Sequence, residues 1–474
     1  MQNSIRKLGI LFIILAVVMV VNLSFLQVFG QKGLVDNSAN TRRLIEEYGI
    51  ARGRIVTADG LVVAESVQAE GPFQYRRSYA AGSLLSHVVG YDSPQFGRSG
   101  LEEFYNQYLL GRKPARGWVE EMTSDLEKGN DITLTIDSEL QAVAAQALGQ
   151  NKGAVIAMDP KTGAILAMYS WPTYDPNALV SQGLDAEGNL AADAIMRAYA
   201  QDPASPLLNR ASMGLYTPGS SFKVITASAG VDSGIPTSTV YDCPPEYFVG
   251  GSSVVNYAGS PDGNMNMDRA LTFSVNTYFA QLALALGADT LVGYAESFGM
   301  NSIPPLDYPA VSPALIPQPG EMDAVELAWT GAGQGALLMT PLQLCLAGCA
   351  IANEGEIMLP HLMKDVRLGD DILERFDAGM WRSPISADTA SQVLEMMVHV
   401  VEEGTGAGAA VSGITVAGKT GTAEVEGKQP HAWFIGIAPA ENPTLVVAVV
   451  VENAGGGGSV AAPIAGEVIE AALR

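Results

Sequence analysis

Three strand-like runs gather near the C-terminal end of the chain, Ile414 to Gly418, Ala432 to Ala438 and Thr444 to Glu452. A glycine run, Gly455 to Gly458, separates them from an apolar helix, Ala461 to Leu473. Much earlier, Asp131 to Ile136 alternates as a strand, and Asp137 to Leu148 reads as a helix whose Asp or Ser start suits capping. Ala154 to Met158 and Ala164 to Ser170 then form an apolar hairpin about Asp159-Pro160-Lys161-Thr162-Gly163. Strands flanked by early and late helices bury their faces as layers, so the pattern predicts an α/β (α+β) fold, an antiparallel sheet flanked by helices. At 474 residues the chain exceeds what one hydrophobic core usually serves, and a second folded domain is expected.

The N-terminal part supplies the rest of the organisation. Arg6-Lys7 precede an apolar run from Leu8 to Val21 that extends to Leu26. Such a run is long enough to span a bilayer, and basic residues ahead of it favour an N-terminus inside, with the remainder exported. A cleaved signal peptide is the alternative, with Val28-Phe29-Gly30 near a cleavage point; the length of the run favours a retained anchor. From Gln31 to about Asn130 the chain is rich in charge and short strands. Arg52 to Ala64 reads as two strands around an Asp59-Gly60 turn, and Gly97 to Gly111 as a turn, an amphipathic helix and a glycine stop. The expected division is a membrane anchor (1–28), a small, mostly β N-terminal domain (29–130) and a larger domain (131–474).

Several function classes are disfavoured at once. A formal net charge of −23 argues against nucleic acid, whose phosphates need clustered Lys and Arg. Three cysteines, with Cys345 and Cys349 four apart in an apolar helical pattern, make no disulfide framework and read with Cys243 as small buried thiols. The four histidines, His87, His361, His399 and His431, lack ligand spacing, so neither a zinc site nor a Ser-His-Asp triad finds support, and no metal or cofactor is expected. Gly404-Thr405-Gly406-Ala407-Gly408 precedes a strand and not a helix, which sets a nucleotide-loop reading aside.

What remains is serine chemistry. In Tyr216 to Ala227, Pro218 and Gly219 mark a turn into a helix, and Ser220 and Lys223 share a face at i and i+3. A lysine kept neutral by burial and nearby positive charge can take the serine proton, and a helix start offers N–H groups to an oxyanion. Ser-x-x-Lys alone is weak; Ser4 and Lys7 match it too. Two companions strengthen it. Ser274-Val275-Asn276 offers a second hydroxyl to relay protons and an amide to orient substrate. Lys419-Thr420-Gly421-Thr422 offers a cation and hydroxyls for a carboxylate, with Gly421 letting substrate backbone lie close. Ser38-Ala39-Asn40 and Lys161-Thr162-Gly163 are decoys, since they precede Ser220 and Lys161 sits at a hairpin tip.

Taken in order, these motifs make the chain resemble a class B penicillin-binding protein, a peptidoglycan D,D-transpeptidase. The likeness covers nearly the whole chain. Arg52-Gly53-x-Ile55 with Asp59-Gly60, Tyr79, His87 to Tyr91 and Gly97-x-Ser99-Gly100-Leu101-Glu102 resemble the family's N-terminal pedestal, while Gly333-Gln334-Gly335, Thr340 to Gln343 and Gly418 to Ala423 resemble its transpeptidase domain. Thr57-Ala58 stands where the family usually has Asp-Arg, Ser221 where it commonly has Thr, and the pedestal is short. The resemblance implies that Ser220 forms the acyl-enzyme with a stem peptide ending in D-Ala-D-Ala and that β-lactams acylate it. It further implies Lys223 as general base, Ser274 and Asn276 as proton relay and orienting amide, and Lys419, Thr420 and Thr422 as the carboxylate site. The oxyanion would rest on the N–H groups of Ser220 and Thr422. A partner glycosyltransferase and other cell-wall machinery are expected, with the catalytic domain outside the cell membrane. The alternatives are a carboxypeptidase or β-lactamase-like hydrolase and a weakly catalytic scaffold or β-lactam sensor.

Overall fold

The structure, a computed structural model, describes residues 41–70, 73–113, 128–181, 191–257 and 260–474. The apolar run 8–26 and the decoys at Ser4 and Ser38 lie outside the described residues. No described helix is long and apolar enough to cross a membrane.

The N-terminal region is built on a six-stranded sheet. β1 (Ile55–Val56), β2 (Val62–Gln68), β3 (Tyr75–Ser78) and β4 (Asp131–Leu134) share it with two much later strands, Met363–Leu368 and Asp371–Arg375. The Asp59-Gly60 turn joins β1 to β2 as the sequence suggests, with Gly60 at φ 96. β4 runs parallel to β1, Ile55 opposite Ile132, and antiparallel to Met363–Leu368, Ile132 opposite Val366. One sheet therefore continues across residue 130. Beside it, motif residues far apart in sequence meet in a dry charge cluster. Glu102 takes Arg52 Nη2 at 2.8 Å and Arg77 Nε at 2.6 Å, and Asp92 takes Arg98 Nε at 2.7 Å. Gly53 is required where it stands, because a Cβ there would fall 1.8 Å from Asn130 O.

The second sheet is five-stranded and antiparallel. β5 (Gly153–Met158) and β6 (Ile165–Trp171) form the expected hairpin, and the order closes with β7 (Ala417–Ala423), β8 (His431–Ala438) and β9 (Leu445–Val451) as β7-β8-β9-β5-β6. Packed directly against its strands are α1 (Ser138–Leu148), α6 (Pro341–Ala352), α7 (Ala461–Leu473) and the helix Ala387–Glu402; the other helices that build the site are α2 (Lys223–Asp232), α3 (Met267–Thr272), α4 (Asn276–Leu286) and α5 (Ala324–Ala332). The unbroken apolar run of β9 follows from burial on both faces. Val447 and Val449 join Leu140, Ala144, Val468 and Ile469 of α1 and α7, while Val446, Ala448 and Val450 join Leu342 and Cys345 of α6. Asp137 caps α1, accepting from the backbone N–H of Glu139 and Leu140.

Some elements depart from the sequence reading. The strand expected over Ile414 to Gly418 begins at Ala417, because Ile414 N bonds back to Val411 O in a tight turn at Gly413. The helix expected within Gly97 to Gly111 is two short pieces, Gly100–Phe104 and Asn106–Leu109. The polar stretch 172–209, whose sequence suggests loop with some helix, holds helices Pro176–Val180 and Ala191–Gln201 in keeping with that, and the hairpin Glu246–Val249/Ser252–Val255 follows Ile235. Between α3 and α4 the chain leaves the helical path, where Ser274 takes a left-handed φ of 59.

Candidate active site

The turn at Pro218 feeds a single 3₁₀ turn, Gly219–Phe222, that runs straight into α2. Ser220 sits on that turn, half-buried at the groove, and Lys223 opens α2 fully buried. Three contacts set this turn and the residues before it against the sheet. Gly219 has φ 56, and a Cβ on it would lie 2.7 Å from Thr422 O. Behind it, Trp433 Nε1 donates to Thr217 O at 3.0 Å, and Tyr216 OH donates to Glu452 Oε1 at 2.9 Å. Ser221 Oγ turns back to Pro218 O at 2.7 Å, away from the groove chemistry.

The break between α3 and α4 is explained by what Lys223 does there. Its Nζ donates to Ser274 O at 2.7 Å and to Asn276 Oδ1 at 2.7 Å, with Ser274 Oγ at 3.4 Å. The Ser274 carbonyl therefore serves the lysine, and the left-handed backbone that presents it is the kind of strain that persists where surrounding contacts hold it. Asn276 Nδ2 is tied to Val255 O at 2.8 Å, which fixes the amide so that its oxygen faces Lys223. From the other side, Lys419 Nζ donates to Ser274 Oγ at 2.9 Å and to Thr420 O at 3.1 Å. Burial first, and the neighbouring Lys419 charge second, hold Lys223 well below the ordinary lysine range. Burial pushes Lys419 down to about 7. The Lys419 charge thus adds to burial in favouring a neutral Lys223.

β7 is an edge strand. The carbonyls of Thr420 and Thr422 accept from Lys419 Nζ and from Gln334 Nε2, the latter at 3.2 Å. Alternate residues of a strand turn their backbone groups the same way, so Thr420 and Thr422 aim theirs at the open side. There they border a groove of about 680 Å³, which Ser220, Ser274 and Asn276 also line. Gly421 lies flat between two layers: a Cβ on it would meet Pro218 O at 2.6 Å and Trp433 Cβ at 2.8 Å. A second hollow of about 670 Å³, beside Leu315 and Glu326, is lined by no nucleophile and no cation.

The motif residues thus meet around one groove, with Lys223 and Lys419 beneath its floor. The Lys161 decoy does not join them; it is exposed at its hairpin tip and bonds Asn442 Oδ1 at 2.6 Å. Sequence reasoning gave no role to Trp433, Glu452 or Gly457, whose N–H reaches Thr422 Oγ1 at 3.3 Å. Thr405, which the sequence offers only as part of a glycine run, places its Oγ1 2.7 Å from Thr420 Oγ1. Adjacency to Gly404 and Gly406 was the one available signal, and it pointed only to a loop.

Residues 153–470 match the sequence profile of the penicillin-binding protein transpeptidase domain. The chain belongs to this family. As a penicillin-binding protein it carries a second match over residues 52–132, to the penicillin-binding protein A dimerisation domain. Among curated relatives, the peptidoglycan D,D-transpeptidase PbpA of Mycolicibacterium smegmatis is 35% identical over 504 residues, covering 100% of this chain and 99% of the relative. Among solved structures, the D,D-transpeptidase domain of a peptidoglycan glycosyltransferase from Eggerthella lenta is 38% identical with TM-score 0.80, covering 90% of this chain and 98% of that one. Penicillin-binding protein A from M. tuberculosis, as its imipenem acyl-enzyme complex, is 34% identical with TM-score 0.83, covering 91% and 100%. This penicillin-binding protein has the mixed α/β transpeptidase fold of class B members.

Proposed function

We propose that this peptidoglycan D,D-transpeptidase works through an acyl-enzyme on Ser220, with Lys223 as its base. The observation that carries the proposal is the convergence of Lys223 and Lys419 on one hydroxyl, Ser274 Oγ, beside Ser220 in the groove. Neutral Lys223 takes the Ser220 proton as Oγ bonds to the carbonyl carbon of the penultimate D-alanine. The oxyanion is met by the backbone N–H groups of Ser220 and Thr422, and the placement of Gly219 against Thr422 supports that pairing. As the intermediate collapses, the C–N bond breaks and the leaving D-alanine nitrogen receives the proton through Ser274. Lys419, Thr420 and Thr422 hold the terminal carboxylate, and Asn276 orients the peptide. An amine of a neighbouring stem then attacks the ester, passes its proton to Lys223, and Ser220 recovers it as the cross-link forms.

β-Lactams enter the same path, opening their ring on Ser220. Residues 8–26 form a single membrane span that leaves the groove outside the cell, and a separate glycosyltransferase supplies the glycan strands. The test is to incubate the full-length chain with a fluorescent penicillin and with a stem peptide ending in D-Ala-D-Ala. Covalent label and D-alanine release are expected from wild type, and neither from Ser220→Ala. Label that survives the substitution would sink the assignment, and label lost within minutes would indicate a hydrolase.

A further inference from the structure

We propose that Thr405 is a positioning residue for the carboxylate end of the substrate, its hydroxyl setting the direction of the Thr420 hydroxyl proton. The two oxygens lie 2.7 Å apart, and both residues line the groove. Thr420 is nearly buried, its backbone fixed by Lys419. Thr405 is exposed, yet it is wedged in place. Its N–H reaches Thr272 O at 3.3 Å, two residues before Ser274, and its own carbonyl lies 2.4 Å from where a Cβ on Gly458 would stand. Gly404 is pressed in the same way, with Thr272 O 2.3 Å from an added Cβ. The loop could hardly carry larger residues at 404 or 458, and what it holds in register is one hydroxyl.

Each hydroxyl has one proton to donate, and a carboxylate only accepts. One proton of the pair is spent between the two oxygens, so one is left for a ligand. If Thr420 donates to Thr405, it presents only lone pairs to the anion. If Thr405 donates to Thr420, the Thr420 proton is free to point into the groove, and a hydroxyl that already accepts a hydrogen bond donates a stronger one. A bound carboxylate selects the second arrangement. Thr405 thereby acts on the substrate through Thr420, joining the segment that carries Ser274 to the strand that carries Lys419. The inference rests on the reading of Thr420 and Thr422 as the carboxylate site.

The experiment compares second-order acylation of the full-length chain by a fluorescent penicillin and by the methyl ester of the same compound, in wild type, Thr405→Val and Thr405→Ser. The valine variant should lose about tenfold or more with the free acid and less than about twofold with the ester, the size of one hydrogen bond to a charged group. The serine variant should restore the free-acid rate. Equal losses with both probes, or no loss with either, would overturn the role of Thr405 while leaving the carboxylate site standing. Wild type reacting as fast with the ester as with the acid would instead overturn the carboxylate site itself, and this inference with it.

Discussion

Ser274 Oγ stands 2.9 Å from Lys419 Nζ, on a backbone that leaves the helical path to put it there. The hydroxyl is also within 3.4 Å of Lys223 Nζ, so it links the two amines. Removing it as Ser274→Ala should slow penicillin acylation by about a hundredfold or more, the range of a positioned proton relay. Thermal unfolding should shift little, because the Lys223 bond to the Ser274 carbonyl survives. An acylation rate within a few-fold of wild type would show that the proton travels another way.

The depressed Lys419 has a consequence for stability against pH. Between about 7, its folded value, and its ordinary range, the unfolded chain binds a proton there that the folded chain does not. Stability contributed at this position therefore rises as pH rises through that window and is lost as pH falls toward 7. Chemical denaturation of wild type and Lys419→Met from pH 7 to 9.5 should show the wild-type advantage growing by up to about 1.4 kcal/mol per pH unit. Parallel curves would refute the shift.

Gly219 permits both the left-handed turn and the approach to Thr422. Gly219→Ala forces either the turn or the edge strand to move, so acylation should fall more than about tenfold while global stability falls by about 1–3 kcal/mol. Measuring both on the same sample separates local misalignment from unfolding; a stable, fully active variant would mean that the turn has room to spare.

Beside the N-terminal sheet, Glu102 holds two buried arginines, Arg52 and Arg77. Glu102→Gln takes the carboxylate from Arg77 and leaves Arg52 with Asp92, 3.3 Å away, so unfolding should become easier by about 3–5 kcal/mol. The acylation rate of the protein that remains folded should be unchanged, since this cluster does not line the groove. A loss of rate in fully folded protein would couple the cluster to the chemistry.

Most of the groove was legible because its signals are local. Ser220 and Lys223 lie one turn apart, Ser274 and Asn276 within three residues, and Lys419 to Thr422 on one strand, so spacing and chain order were enough to nominate them. The apolar run of β9 and the capping of α1 were legible for the same reason. What escaped reading depends on distant partners. Thr405 gains its meaning only from a strand that folds back beside it, and nothing in Gly404-Thr405-Gly406 announces a hydroxyl pair. The break at Ser274 is held by bonds from Lys223, a residue of another helix, which no local spacing announces. The sheet that continues across residue 130 was hidden because Met363–Leu368 arrives from far along the chain to pair with β4.

An open sheet edge is a hazard in any soluble domain, since it invites another sheet to join and seed an aggregate. β7 is such an edge, yet all of it except half-exposed Thr422 is buried. The Gly219 turn presses on one end, and Gly457 lies against Gly421 and Trp433 from behind. What stays open beside it is the groove lined by Ser220, Ser274 and Asn276. A strand that brought neighbours with it would have to pass the Gly219 turn, whereas a lone extended peptide needs only the groove. The walls that shape the groove for a stem peptide thus also work as a sieve that protects the protein from sticking to itself.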